Sequence, residues 1–180
     1  QQKQNIMAKF IIDAAHSEAS FKIKHLMIST VSGQFNEFEG EATTTGEGFE
    51  GATVRFSADV NSINTKNEQR DGHLKSGDFF DAAQYPKISF ESTNFTKNGD
   101  DYLLEGNLTI KDVTKPVSLT VEYNGTMTDF YGQKKHGFEV NGKINRKDFG
   151  LTWHAVTEAG GVVVSDEVKL HFNIQLTEQA

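Results

Sequence analysis

Val168-Lys169-Leu170-His171-Phe172-Asn173-Ile174-Gln175-Leu176 is the stretch that decides the fold. A period of two puts Val168, Leu170, Phe172, Ile174 and Leu176 on one face of an extended chain and Lys169, His171, Asn173 and Gln175 on the other, the pattern of a half-buried β-strand. Residues 52–60, 117–123 and 149–155 alternate in the same way. Composition alone would produce such a run about 0.8 times in a chain of this make-up. Weaker strands are predicted over 19–25, with Phe21 and Ile23 on one side, and over 32–44, 87–96, 102–111 and 134–145.

Turn chemistry separates these segments. Asn98-Gly99 is predicted as a hairpin centre because both residues tolerate positive φ, and residues 129–132 as a second turn. Asn124-Gly125 reads either as a competing turn or, in preference, as a bulge that lets a long strand coil. Pro86 and Pro116 fall at expected strand starts, where a missing N–H costs little. Residues 66–84 break the pattern: Leu74, Phe79 and Phe80 are at mixed spacing, with Ser76 and Asp78 as helix N-caps. This segment is predicted to be a long connection with one or two helical turns. The fold class is therefore all-β, a single antiparallel sheet of about eight strands that closes or sandwiches, with a short helical connection near 66–84.

The 180 residues suit one domain, and 36% hydrophobic with 24% charged residues is a globular composition. The net charge of −7 is spread along the chain, which disfavours nucleic acid or an anionic membrane surface as main partner, since such binding needs clustered Lys and Arg. No apolar run reaches the roughly 18 residues of a membrane-spanning helix, so a soluble protein is expected. The absence of cysteine excludes disulfides, a thiolate nucleophile and Cys-ligated metals. Residues 1–9 read as a leader or expression remnant, ahead of a barrel over 10–178. The periplasm is implied if a signal peptide was removed, the cytoplasm if Met7 is the native start.

An eight-stranded barrel is either filled by its own side chains or holds one small ligand, and the 14 phenylalanines serve either purpose. The densest polar cluster is Arg70-Asp71-Gly72-His73-Leu74, followed by Ser76, Asp78, Phe79, Phe80 and Asp81. Arg70 and His73 suit a phosphate or other polar head, with Asp71 pairing with Arg70 or holding the His73 tautomer; a capped, salt-bridged loop that plugs one end is the structural alternative. Residues 145–153 join two strands and carry Arg146 and the sole tryptophan, Trp153, which caps the core or lines an entrance. The six histidines show neither His-x-His nor His-x3-His spacing, so no metal site and no cofactor is predicted. With no G-x-S-x-G elbow and no spaced acid/base pair, no catalytic residue is assigned.

The ordered set of segments resembles the YceI-like family of bacterial polyisoprenoid-binding proteins. It comprises Ile12-Asp13 with His16-Ser17; Phe21-Lys22-Ile23-Lys24-His25-Leu26; Gly33-Gln34-Phe35; Ser62-Ile63-Asn64-Thr65; Arg70-Asp71-x-His73-Leu74; Asp78-Phe79-Phe80-Asp81; Tyr85-Pro86-x-Ile88-x-Phe90; Gly106-x-Leu108-Thr109-Ile110; Thr114-Lys115-Pro116-Val117; Ile144-Asn145-Arg146-x-Asp148-Phe149-Gly150-Leu151; and Asp166-Glu167-Val168. The resemblance implies a lipocalin-like barrel whose apolar tunnel holds a long isoprenoid, and favours a hollow interior over a filled one. On that reading the protein binds, sequesters or transports an isoprenoid lipid, of the prenyl quinone or polyprenyl phosphate type, without catalysis. Tunnel-lining residues are then Phe21, Ile23, Phe35, Phe56, Ile88, Phe90, Leu108, Ile110, Phe138, Val140, Leu170, Phe172 and Ile174, and the head group lies near Arg70, Asp71, His73, Arg146 or Trp153. An enzyme using Asp71 and His73 on a small amphiphile, and a solid-core interaction module, are the competing readings. A two-fold homodimer is compatible with all three.

Overall fold

The computed structural model describes residues 7–25, 28–46, 48–152 and 164–179. Among them the chain forms β1 (Ala8–Ile12), β2 (Glu18–His25), β3 (Ser29–Phe35), β4 (Phe38–Thr44), β5 (Thr53–Asp59), β6 (Ile63–Asn64), α1 (Glu68–Lys75), β7 (Lys87–Asn98), β8 (Asp101–Ile110), β9 (Val113–Thr128), β10 (Lys134–Asn145) and β11 (Val164–Glu178). The order β1-β4-β5-β7-β8-β9-β10-β11 closes on itself because β1 also pairs with β11. This is a closed, antiparallel, eight-stranded barrel, the predicted class.

The other three strands are a wing on the same sheet. β11 is long enough to serve two partners along one edge: Leu176, Thr177 and Glu178 pair with β1, and the stretch from Val164 to Asn173 pairs with β2. β1 and β2 run in one direction, interrupted by a 3-10 turn at Ala14–His16, and β3 and β4 run back, interrupted at Asn36-Glu37. β6 finishes the wing by pairing with β3.

Antiparallel order sorts the connections to two ends. One end carries the β2–β3, β8–β9 and β10–β11 connections and the long segment from β5 to β7 that includes α1. The opposite end carries the β4–β5, β7–β8 and β9–β10 connections, the start of β1 and the end of β11. At that opposite end Phe49, from the β4–β5 loop, packs its ring against Phe10 at 5.1 Å, His136 at 5.3 Å and Phe138 at 5.0 Å, a plug of tilted and edge-on rings.

Two glycines let large inner side chains lie along the wall. Gly33 pairs with Phe21, and a Cβ at residue 33 would strike the Phe21 ring; one at Gly142 would strike Leu119. With hydrogen in place of a side chain, the bulky neighbour lies flat across the strand.

Several boundaries differ from the sequence expectation. The single strand predicted over 32–44 is two strands, and β1 and the two-residue β6 are additions. The alternation at 149–155 is not a continuous strand: Phe149 ends a 3-10 turn (Arg146–Phe149), Gly150 turns left-handed at φ 76°, and 153–155 lie outside the described residues. The helix starts earlier than predicted, with Asn67 as its N-cap and Ser76 as its C-cap. The hairpin centre is Gly99-Asp100, since Asn98 pairs with Asp101, and only Gly99 takes positive φ, at 65°. Pro116 lies inside β9, where the strand pairs with β8 alone, so its missing N–H interrupts no ladder. The bulge stands: Gly137 pairs with Gly125 and Phe138 with Tyr123, leaving Asn124 extra.

Candidate functional site

The barrel encloses a cavity of about 600 Å³, within the range of small-molecule sites. Phe21 and Ile23 of β2, Phe35 of β3, Phe56 of β5, Ile88 and Phe90 of β7, Leu108 and Ile110 of β8, Phe138 and Val140 of β10, and Leu170, Phe172 and Ile174 of β11 all stand on its wall. The period of two brings them together: each belongs to the apolar face of its strand, closing the ring turns the faces of β5, β7, β8, β10 and β11 inward, and β2 and β3 of the wing continue the β11 face with Phe21, Ile23 and Phe35. Phe56 and Phe172 belong to strands that are not neighbours, yet their ring centroids are 5.6 Å apart, so these rings meet through the interior.

Further wall residues lie outside the tunnel set expected from the sequence. Leu119, Val121 and Leu176 share the alternation already recognised, and extending each inward face by one or two positions finds them. Phe49 and Phe80 come from connections, where no period signals an inward side chain. Phe80 follows α1 and its ring approaches Phe35 at 6.4 Å, folding that segment over the interior.

Most polar lining residues gather at the α1 end, Thr65, Asn67, Gln69, Arg70, His73 and Arg146; Glu41 of β4 and Arg55 of β5, paired across the two strands, are the charged exceptions on the wall. Asn67 and Gln69 are exposed as well as lining, so the cavity reaches solvent beside α1. Asn67 accepts the Arg70 backbone N–H at 3.1 Å to cap the helix. The Arg70 guanidinium donates to the Thr65 hydroxyl at 2.8 Å and the Thr65 carbonyl at 2.7 Å. Asp71 does not line the cavity; its carboxylate accepts from the Thr65 N–H at 2.9 Å and from the Thr65 hydroxyl. Arg70 and Asp71 therefore grip the same residue from two sides rather than each other. His73 pairs with Asp78 at 2.9 Å, so Asp78, not Asp71, orients that ring.

Arg146 is 2% exposed, donating to Leu151 O at 2.6 Å and Ser165 O at 2.9 Å, with Asp166 at 3.7 Å. Burial pushes its ionisation downward, opposed by the Asp166 charge; a guanidinium retains its proton across the physiological range regardless. It ties the 3-10 turn after β10 to the start of β11, and brings a cation to the cavity wall. Trp153 lies outside the described residues.

The family description for a YceI-like domain matches residues 10–176. A UPF0312 protein of Staphylococcus aureus is 38% identical over 174 residues, covering 95% of this chain and 98% of its own. Among solved structures, the Campylobacter jejuni YceI protein superposes with a TM-score of 0.72 at 29% identity, covering 100% of both chains. A polyisoprenoid binding domain from Saccharophagus degradans superposes with a TM-score of 0.65 at 19% identity, covering 94% of this chain and 98% of that one. Barrel closure, inward phenylalanines and a match over nearly the whole chain agree: the protein belongs to the YceI-like family.

Proposed function

We propose that the protein is a non-enzymatic carrier that takes up a long-chain isoprenoid lipid, a prenyl quinone or polyprenyl phosphate, and sequesters or transports it in the barrel. The observation that carries this reading is the enclosed apolar cavity of about 600 Å³ opening beside a polar helix. At about 30 Å³ per heavy atom, as in liquid water, that space suits a chain on the order of 20 atoms. Each five-carbon unit moved from water to such walls is stabilised by on the order of 4 kcal/mol, at about 0.8 kcal/mol per buried carbon group. Affinity then needs no reacting side chain. The Saccharophagus degradans relative, described as polyisoprenoid binding, supports the same cargo class.

The head group is assigned to the α1 end. Arg70, His73 and Arg146 supply donors there, Asp71 holds the Thr65 on which Arg70 rests, and Trp153 belongs to the same connection as Arg146. Arg70→Ala is expected to weaken polyprenyl phosphate about tenfold or more, the scale of a charge-assisted hydrogen bond, while sparing an uncharged prenyl quinone. Equal loss for both lipids removes Arg70 from the head-group site. Phe172→Asp is expected to abolish uptake of both lipids. Thermal unfolding measured alongside separates that loss from loss of the barrel.

A further inference from the structure

Strand register collects charges that are scattered in the sequence. Lys143 of β10 pairs with Lys169 of β11, and Lys169 pairs with Lys22 of β2, so three lysines stand in one row across three adjacent strands, about 4.8 Å apart. Val140, Leu170 and Phe21 line the cavity, so the lysines, an odd number of residues from them, face outward, and all three are exposed. Two positions along each strand comes a neutral row, Asn141, His171 and Ser20; four positions along comes Glu139, Asn173 and Glu18, with Glu122 of β9 beside Glu139. The outer wall of β10, β11 and β2 is thus graded from basic to acidic over about 14 Å. Its basic edge points to the α1 end, where the cavity reaches solvent. Nearer that end the β11–β2 register shifts between Val164 and Val168, and Lys24 and Glu167, of opposite charge, are both exposed.

Like charges directly opposite on neighbouring strands destabilise a sheet. Among the described residues none of the three lysines, nor Glu18, Glu122 or Glu139, is in an ion pair, so no described carboxylate neutralises the row. We propose that this lysine row docks the barrel on an anionic phospholipid bilayer, with the cavity mouth toward the membrane. A negative surface attracts the lysines and repels the glutamate row, so the gradient sets orientation as well as attachment. Net charge does not oppose this, because screening confines the interaction to groups within about 8 to 10 Å of the surface. The choice of a bilayer over another polyanion rests on the proposed lipid cargo, which must enter from a membrane.

The test is flotation of the full chain with vesicles of phosphatidylcholine alone and of three parts phosphatidylcholine to one part phosphatidylglycerol. Preference for the anionic vesicles is expected, falling with salt. Lys22→Gln, Lys143→Gln and Lys169→Gln together should reduce it by on the order of 100-fold, about fivefold per lysine, without lowering the unfolding temperature. Glu18→Gln with Glu139→Gln, about 14 Å from the lysines and so beyond the screened range, should change it by less than about twofold. The chain lacks cysteine, so Ile28→Cys, at an exposed site on the β2–β3 turn, and Phe130→Cys, at an exposed site on the opposite end, accept single fluorophores. Nitroxide-labelled lipid head groups should quench the label at 28 and spare that at 130. Equal binding to both vesicles, undiminished binding by the triple variant, quenching at 130 instead of 28, or binding to duplex DNA in place of vesicles overturns the proposal. Lipid occupancy of the purified protein is scored separately: a lipid-loaded protein indifferent to anionic vesicles refutes the row alone, and an empty one that binds them refutes only the cargo.

Discussion

His136 shows how one side chain links the plug to pH. It is 6% exposed among Phe10, Phe49 and Tyr123, its Nδ1 lies 2.9 Å from the Tyr123 hydroxyl, and its Nε2 has no partner among the described residues. Burial holds its pKa below the usual 6.5, outweighing the upward pull of Glu178, while Lys134 adds to the lowering. The unfolded chain therefore binds the proton more readily than the folded one, and stability falls as pH drops below about 6.5 until the depressed folded value is reached. The unfolding temperature should decline between pH 7.5 and 5, and His136→Leu should flatten that decline; an unchanged slope would remove His136 as its source. Gly33 is the second decisive residue. Gly33→Ala puts a methyl into the Phe21 ring, so the ring must swing into the lumen. A loss of about 1 to 3 kcal/mol is expected, with shorter lipids retained in place of longer ones; an unaltered lipid profile would show that the flat ring does not set capacity.

At the scale of elements, α1 is the part next to the mouth and one of the least anchored by packing, with no buried side chain of its own. Asn67→Ala removes its cap, worth about 1 kcal/mol, and should speed lipid release severalfold in a stopped-flow transfer assay with little change in global unfolding. Unchanged release would place the exit elsewhere. The long strands β7 to β11 were legible because inward and outward residues alternate over many positions, and the bulge at Asn124 because Asn-Gly interrupts that alternation. β1 and β6 were not: five and two residues hold too few positions to show a period. The α1 cap was misassigned because Asn67, Ser76 and Asp78 are all good capping residues, and only the fold tells which N–H groups are vacant. Inward phenylalanines were recoverable from parity. The partners of Arg70, Asp71 and His73 were not, since Thr65 and Asp78 are brought to them by loop geometry that carries no repeat.

For the molecule as a whole, closure between β1 and β11 converts eight amphipathic strands into an enclosed space with one plugged end and one polar end. Parity alone predicted that an interior exists; its volume follows from the strand number and from where glycines let large side chains lie flat, which are properties of register. Register also assembled the lysine row from residues far apart in the chain. The central claim is that this interior holds an isoprenoid. Native mass spectrometry of the freshly purified full chain tests it most directly, because it reports occupancy and ligand mass together. The account predicts a bound species in stoichiometric or near-stoichiometric amount, released on denaturation, with a mass series spaced by whole five-carbon units. Protein at its bare chain mass that also stays bare after incubation with a prenyl quinone and a polyprenyl phosphate would contradict it.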